Sequence, residues 1–124
     1  MDVITYCLKA VCNDESLYEH ADYVIVATPT NFNEMDKSFD TSVESVVKKV
    51  KSVDKHAVIV IKSTIPIGYT LWLRKKYECS NIIFSPEFLR ESYALYDNLY
   101  PSRIIVSSGN EGEEFEIATR FAQL

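Results

Sequence analysis

The chain has 124 residues, 47% of them hydrophobic and 25% charged, a balance that suits one soluble globular domain, or part of one, and excludes a disordered segment. Its net charge of -5 argues against a nucleic-acid partner: the densest basic run, Lys48, Lys49 and Lys51, suits the end of a helix and reads as a solvated surface. Three cysteines without CxxC spacing, two isolated histidines, an N-terminus lacking a long apolar core and apolar runs no longer than Ala57 to Ile61 exclude a disulfide framework, a metal site, a signal peptide and a membrane span, and fit a reducing cytoplasm.

Val3 to Leu8 is the first, weaker strand candidate. Tyr23 to Ala27 (YVIVA) is an unbroken apolar run, as expected of a strand covered on both faces of a parallel sheet. Thr41 to Glu44 spells a capping box that opens a helix, and Val43, Val46, Val47 and Val50 follow as one apolar stripe. Ala57 to Ile61 (AVIVI) is the next buried strand. Pro66 suits a first helical position, so a helix is expected from there toward Tyr77. Ile82 to Phe84 reads as a third strand and, after a loop, Ile104 to Val106 as a fourth. From Glu113 onward Phe115, Ala118 and Ala122 keep helical spacing. The alternation predicts an α/β domain with a parallel sheet and helices on both faces. Only three glycines are present, Gly68, Gly109 and Gly112, and none forms a glycine-rich turn.

Ligands of open α/β sheets sit beyond the carboxyl ends of the strands. There the run 23–27 leads into Thr28, Pro29 and Thr30. The run 57–61 leads into Lys62, Ser63 and Thr64, and 82–84 into Ser85, Pro86 and Glu87. Hydroxyls and a carboxylate are therefore expected along one edge, beside a helix start near Pro66 whose N–H groups suit anionic oxygens. The same hydroxyls also serve as turn and helix caps in many proteins. Glu87 and Glu91 are spaced to share a helical face, an arrangement that suits acid-base work as well as plain surface charge.

Read together, VIVATPT (Val24 to Thr30), VIKSTIPIG (Val60 to Gly68), IIFSPEFLRES (Ile82 to Ser92) and ALYDNLYPSRIIV (Ala94 to Val106) resemble, in this order, the bacterial UDP-glucose dehydrogenases. SPEFLRE with YDNLYPSR is the specific part. TPT and KST also occur in the related GDP-mannose and UDP-N-acetylmannosamine dehydrogenases. The resemblance implies an incomplete Rossmann-like NAD-binding domain over 1–124, truncated at both ends and lacking its first βαβ unit. It implies oxidation of UDP-glucose to UDP-glucuronate, reducing NAD twice, in a cytoplasmic enzyme that forms homo-oligomers. Carried over to this sequence, it places Val26, Thr28, Thr30, Ser63, Thr64 and Glu91 at the cofactor. Thr64 is also placed near the reacting carbon, Glu87 as the acid-base residue, and Phe88, Leu89, Arg90, Glu91 and Tyr96 with Glu87 at the substrate.

The family's GxGxxG turn, its nucleophilic cysteine and its catalytic lysine match nothing here, and Cys79 lies at the wrong end of a strand to stand in. The isolated chain is thus expected to be inactive. With its neighbouring strand missing, strand 23–27 is expected to be a bare apolar edge that drives self-association. The alternatives are a non-catalytic module completed by another chain, or a fragment of a GDP-mannose or UDP-N-acetylmannosamine dehydrogenase.

Overall fold

A computed structural model describes residues 3–6, 18–30, 32–33, 38–39, 42–109 and 111–124. Four strands, β1 (Val3–Tyr6), β2 (Tyr23–Val26), β5 (Val58–Ile61) and β6 (Ile82–Phe84), form one sheet in the order β1-β2-β5-β6. Every pairing in it is parallel, with Val24 beside Ile59 and Ile59 beside Ile82. A two-stranded antiparallel ribbon, β3 (Phe32–Asn33) with β4 (Ser38–Phe39), stands apart from the sheet and has no counterpart in the sequence reading.

Alternation along each strand sends side chains to two cores. Val24, Val26, Ile59, Ile61 and Ile82 pack on one face against Val43, Val46, Val47 and Val50 of α1 (Ser42–Val53) and Leu73 of α2 (Tyr69–Tyr77). Tyr23, Val60 and Ile83 pack on the other against Ile117 and Ala118 of α4 (Glu113–Ala122). Strands covered on both faces need apolar residues at every position, which is why these segments read as unbroken runs.

Four expectations change. Strand β2 is not an edge, because β1 pairs along its whole length and Val24 and Val26 are fully buried; the argument for self-association from a bare strand 23–27 therefore fails. Helix α2 begins at Tyr69, three residues beyond Pro66. A turn closed by the Tyr69 N–H on Pro66 O comes first, and Gly68 caps it at φ 82, the left-handed region that favours glycine. Residues 104–106 form no strand: Val106 packs on the second core, the chain hydrogen-bonds to the sheet through one antiparallel bridge, Ser107 to Phe84, and Ile104 is 70% exposed. Instead the loop before it carries a short helix, α3 (Ala94–Leu99), with no buried residue. Helix α4 faces the sheet with Ile117, Ala118 and Phe121, while Phe115 and Ala122 are exposed. The capping box cannot be followed, since Thr41 lies outside the described residues.

Lys51 also departs from its expected solvated position. It is 9% exposed, and its ammonium donates to Asn81 Oδ1 and to Lys55 O, the latter at 3.1 Å. Asn81 is equally buried and donates from Nδ2 to Lys55 O and Ala57 O, both at 2.9 Å. This network ties the last turn of α1 to the amino ends of β5 and β6. Cys79, free and half-buried, lies beside it. Burial pushes the Cys79 thiol up, against the nearby Lys51 charge, and burial likewise lowers Lys51.

Candidate active site at the carboxyl edge of the sheet

The parallel register puts the ends of β2, β5 and β6 on one edge, so the segments 27–30, 62–68 and 85–90 lie side by side, as expected. Their hydroxyls divide into two groups. Thr28 and Ser63 are buried at 3% and 7% exposure. Ser63 Oγ donates to Thr28 O at 2.6 Å, and the Thr28 hydroxyl lies 3.4 Å from Ser63 Oγ and 3.2 Å from Ser42 Oγ at the start of α1. Ser42 in turn donates to Pro29 O at 3.1 Å. Val26 is turned into the helix-covered core, and its carbonyl accepts from the Lys62 and Ser63 N–H groups at 2.8 and 3.3 Å. Val26, Thr28 and Ser63 thus staple two strand-end loops together. Thr30, half-buried, and Thr64, exposed, are the two that reach the surface.

Beyond β6 the chain lines a cavity of about 700 Å³. Its floor is Ser85 to Arg90, with Tyr96 and Asp97 of α3, Arg103 and the end of α4 around it. Five sequence-predicted residues therefore meet: Glu87, Phe88, Leu89, Arg90 and Tyr96. Glu91 opens the 3-10 turn that follows, residues Glu91–Tyr93. Glu87 and Glu91 share no α-helical face, because residues 85–90 form no helix. Thr30, Thr64 and the stapled residues do not line this cavity.

Three residues that the sequence reading did not assign hold the floor in place. Lys62, half-buried at the end of β5, pairs with Glu87 at 3.3 Å. The Arg103 guanidinium lies 5.8 Å from the centre of the Phe88 ring. Asp97 accepts three bonds from Arg90: backbone N–H at 3.0 Å, Nε at 3.0 Å and Nη2 at 2.7 Å. The Arg90 guanidinium beside Asp97 holds that carboxyl down at about 2. Lys62 directly follows an apolar run at the ligand edge, which was a readable signal. The Arg90–Asp97 pairing had none, since Arg90 precedes the 3-10 turn and Asp97 lies in α3, so no single helix joins them.

Residues 3–123 match the NAD binding domain of the UDP-glucose/GDP-mannose dehydrogenase family. The chain belongs to that family. A UDP-glucose 6-dehydrogenase of Campylobacter jejuni is 51% identical over 100 residues, covering 80% of this chain and 25% of the relative. One from Streptococcus pneumoniae is 49% identical over 119 residues, covering 94% and 30%. The solved structure of a UDP-glucose dehydrogenase from Pyrobaculum islandicum superposes with a TM-score of 0.67 at 27% identity, over 87% of this chain and 26% of that one. The chain thus spans between a quarter and a third of the length of these relatives.

The cofactor of the matched domain is NAD, and the residues present fit part of it. Thr30, half-buried, and Thr64, exposed, stand at adjacent strand ends, and α2 follows Thr64 after the turn at Pro66. A glycine-rich turn that would let the backbone approach a pyrophosphate is absent from the sequence. No described helix is long and apolar enough to cross a membrane.

Proposed function

We propose that this chain supplies the nicotinamide and sugar side of the active site of a UDP-glucose 6-dehydrogenase, a cytoplasmic homo-oligomer that oxidises UDP-glucose to UDP-glucuronate. The observation that carries the reading is the meeting of Glu87, Phe88, Leu89, Arg90 and Tyr96 around one cavity at the carboxyl edge, where α/β folds bind ligands. UDP-glucose suits that cavity. The apolar faces of Phe88, Tyr96 and Tyr100 can take rings, while Lys62 and Arg103 bring positive charge for a diphosphate. The names of the relatives at 49–51% identity favour glucose over mannose or N-acetylmannosamine.

NAD, when bound, accepts the hydride from the sugar carbon. The chain's own residues orient and exchange protons. Glu87, 47% exposed and steered by Lys62, can take a proton from a substrate hydroxyl or an attacking water. Thr64 is placed to hold a water at the neighbouring strand end, and Thr30 to meet the cofactor. Val26, Thr28 and Ser63 support that shelf from beneath.

The test has two parts. UDP-glucose at millimolar concentration is expected to shift the amide resonances of 85–90 and 96–104 in the labelled chain, with GDP-mannose weaker. NADH absorbance at 340 nm is expected to stay flat with UDP-glucose and NAD, because the sequence has no glycine-rich turn to seat the pyrophosphate of NAD for hydride transfer. Equal shifts from both nucleotide sugars, or none from either, would sink the assignment. Turnover that disappears in Glu87→Gln would show the isolated chain to be catalytically complete.

A further inference from the structure

Phe88, Leu89 and Arg90 line the cavity without belonging to any helix or strand. Such a segment has no ladder of backbone bonds to fix it, and an unfixed segment must be ordered when a ligand binds. Each side chain that grips it therefore has a consequence for affinity. On this segment Lys62 meets the Glu87 carboxylate and Arg103 the Phe88 ring, both side-chain groups. Asp97 differs, because one of its oxygens accepts from the Arg90 backbone N–H itself.

We infer that Asp97 is a positioning residue for the ligand, setting the main chain of 88–90 through a three-bond grip on Arg90. The inference rests on the reading of this cavity as the UDP-glucose site. Asp97 sits in α3, and its carboxylate is 14% exposed. Both guanidinium bonds and the backbone bond converge on it, closing the loop from Arg90 to Asp97. The Arg90 guanidinium also lies 4.8 Å from the centre of the Tyr93 ring, so the fork is steered from two sides. With its fork turned to Asp97, Arg90 serves as the strut that carries the backbone of Leu89, and cationic contact with the ligand is left to Lys62 and Arg103. Bidentate arginine–carboxylate geometry is directional, so its loss moves the strut as well as weakening an attraction.

The experiment uses the labelled 124-residue chain and UDP-glucose as probe. Asp97→Asn keeps the shape but breaks the paired acceptance. It is expected to speed amide exchange at Leu89 and Arg90 and to weaken UDP-glucose binding about tenfold, the cost of ordering one or two side chains on binding. The melting midpoint should hardly move, since a pair whose arginine is two-thirds exposed adds little to global stability. Asp97→Glu restores a charged acceptor at a different reach and should recover part of the affinity. Unchanged affinity in Asp97→Asn overturns the inference. So does a loss matched by equal disturbance of core amides at Val60 and Ile83, which would mark general unfolding. If UDP-glucose leaves 87–90 unshifted in the unaltered chain, the reading of the site itself fails and takes this role for Asp97 with it.

Discussion

The two ends of the sheet carry polar clusters of opposite character. At the amino edge, Lys51 and Asn81 are each 9% exposed and bonded to each other and to the carbonyls that surround them. At the carboxyl edge, Glu87 and Arg90 are about half and two-thirds exposed, each held by one charged partner beside a cavity. A closed network spends its hydrogen bonds on the fold and leaves nothing for a ligand. An open one leaves charge in water, contributes little to stability and can be redirected by whatever binds. The comparison separates structure from function without appeal to motif: the same residue type, lysine, is a joint at Lys51 and a steering charge at Lys62.

The largest expected effect breaks the closed end. Asn81→Leu removes the acceptor of a buried ammonium and the donor to two carbonyls, and should cost about 2–4 kcal/mol in denaturant unfolding. The loss should shrink at alkaline pH. Burial lowers the Lys51 pKa below its ordinary value of 10.5, so the charged form is the one that folding disfavours. That penalty is present below the folded pKa and is relieved as pH rises through it toward the ordinary value. A variant as stable as the parent at pH 7 would show that the network is dispensable.

Between the two extremes lies the Thr28–Ser63 staple, which is buried like the amino edge but sits at the ligand edge. Ser63→Ala deletes the donor to Thr28 O and leaves that carbonyl short of a partner, for about 1–2 kcal/mol. If Thr28 and Ser63 support the shelf from beneath, NAD binding should weaken along with stability, and Thr64→Ala should weaken NAD binding with stability held. Reversed results for the two variants would exchange their roles.

The sequence made this division only half legible. Strands β2, β5 and β6 and the valine stripe of α1 were readable because burial on both faces, or on one helical face, imposes a local period. Residues 104–106 looked the same over three positions, but an apolar run becomes a strand only where a neighbour offers its edge. Here the ladder amounts to one bond, the Ser107 N–H donating to Phe84 O at 2.8 Å. Helix α3 is not legible in the sequence although Leu95, Tyr96, Leu99 and Tyr100 keep helical spacing, since short helices lie below the length at which periodicity separates from chance. In the site, Glu87 to Arg90 and Tyr96 were named from their motif. Their partners were not, because Lys62 and Asp97 meet them by the course of the chain in space. The burial of Lys51 was hidden for the same reason: Asn81 is 30 residues away.

The smallest expected effect is on the open edge and concerns acid. Asp97 lies at about 2 in the folded chain against an ordinary 3.8, first because the Arg90 side chain and then because the Arg90 backbone N–H donates to its ionised form. A carboxyl that binds its proton less readily when folded adds stability above its ordinary pKa and loses it as pH falls through the folded value. The parent and Asp97→Asn should therefore differ by a small constant amount from neutral pH down to about 4, then converge toward pH 2. The Arg90 half of the pair is two-thirds exposed, so the constant should be hard to see in a melting curve and smaller still in high salt. The carboxyl resonance of Asp97 reports the same event directly: it should titrate near 2 in the parent and near its ordinary value in Arg90→Ala. A carboxyl that titrates near 4 in both would mean that the grip on Arg90 does not persist in solution, and the open edge would then lack the strut on which the position of its main chain depends.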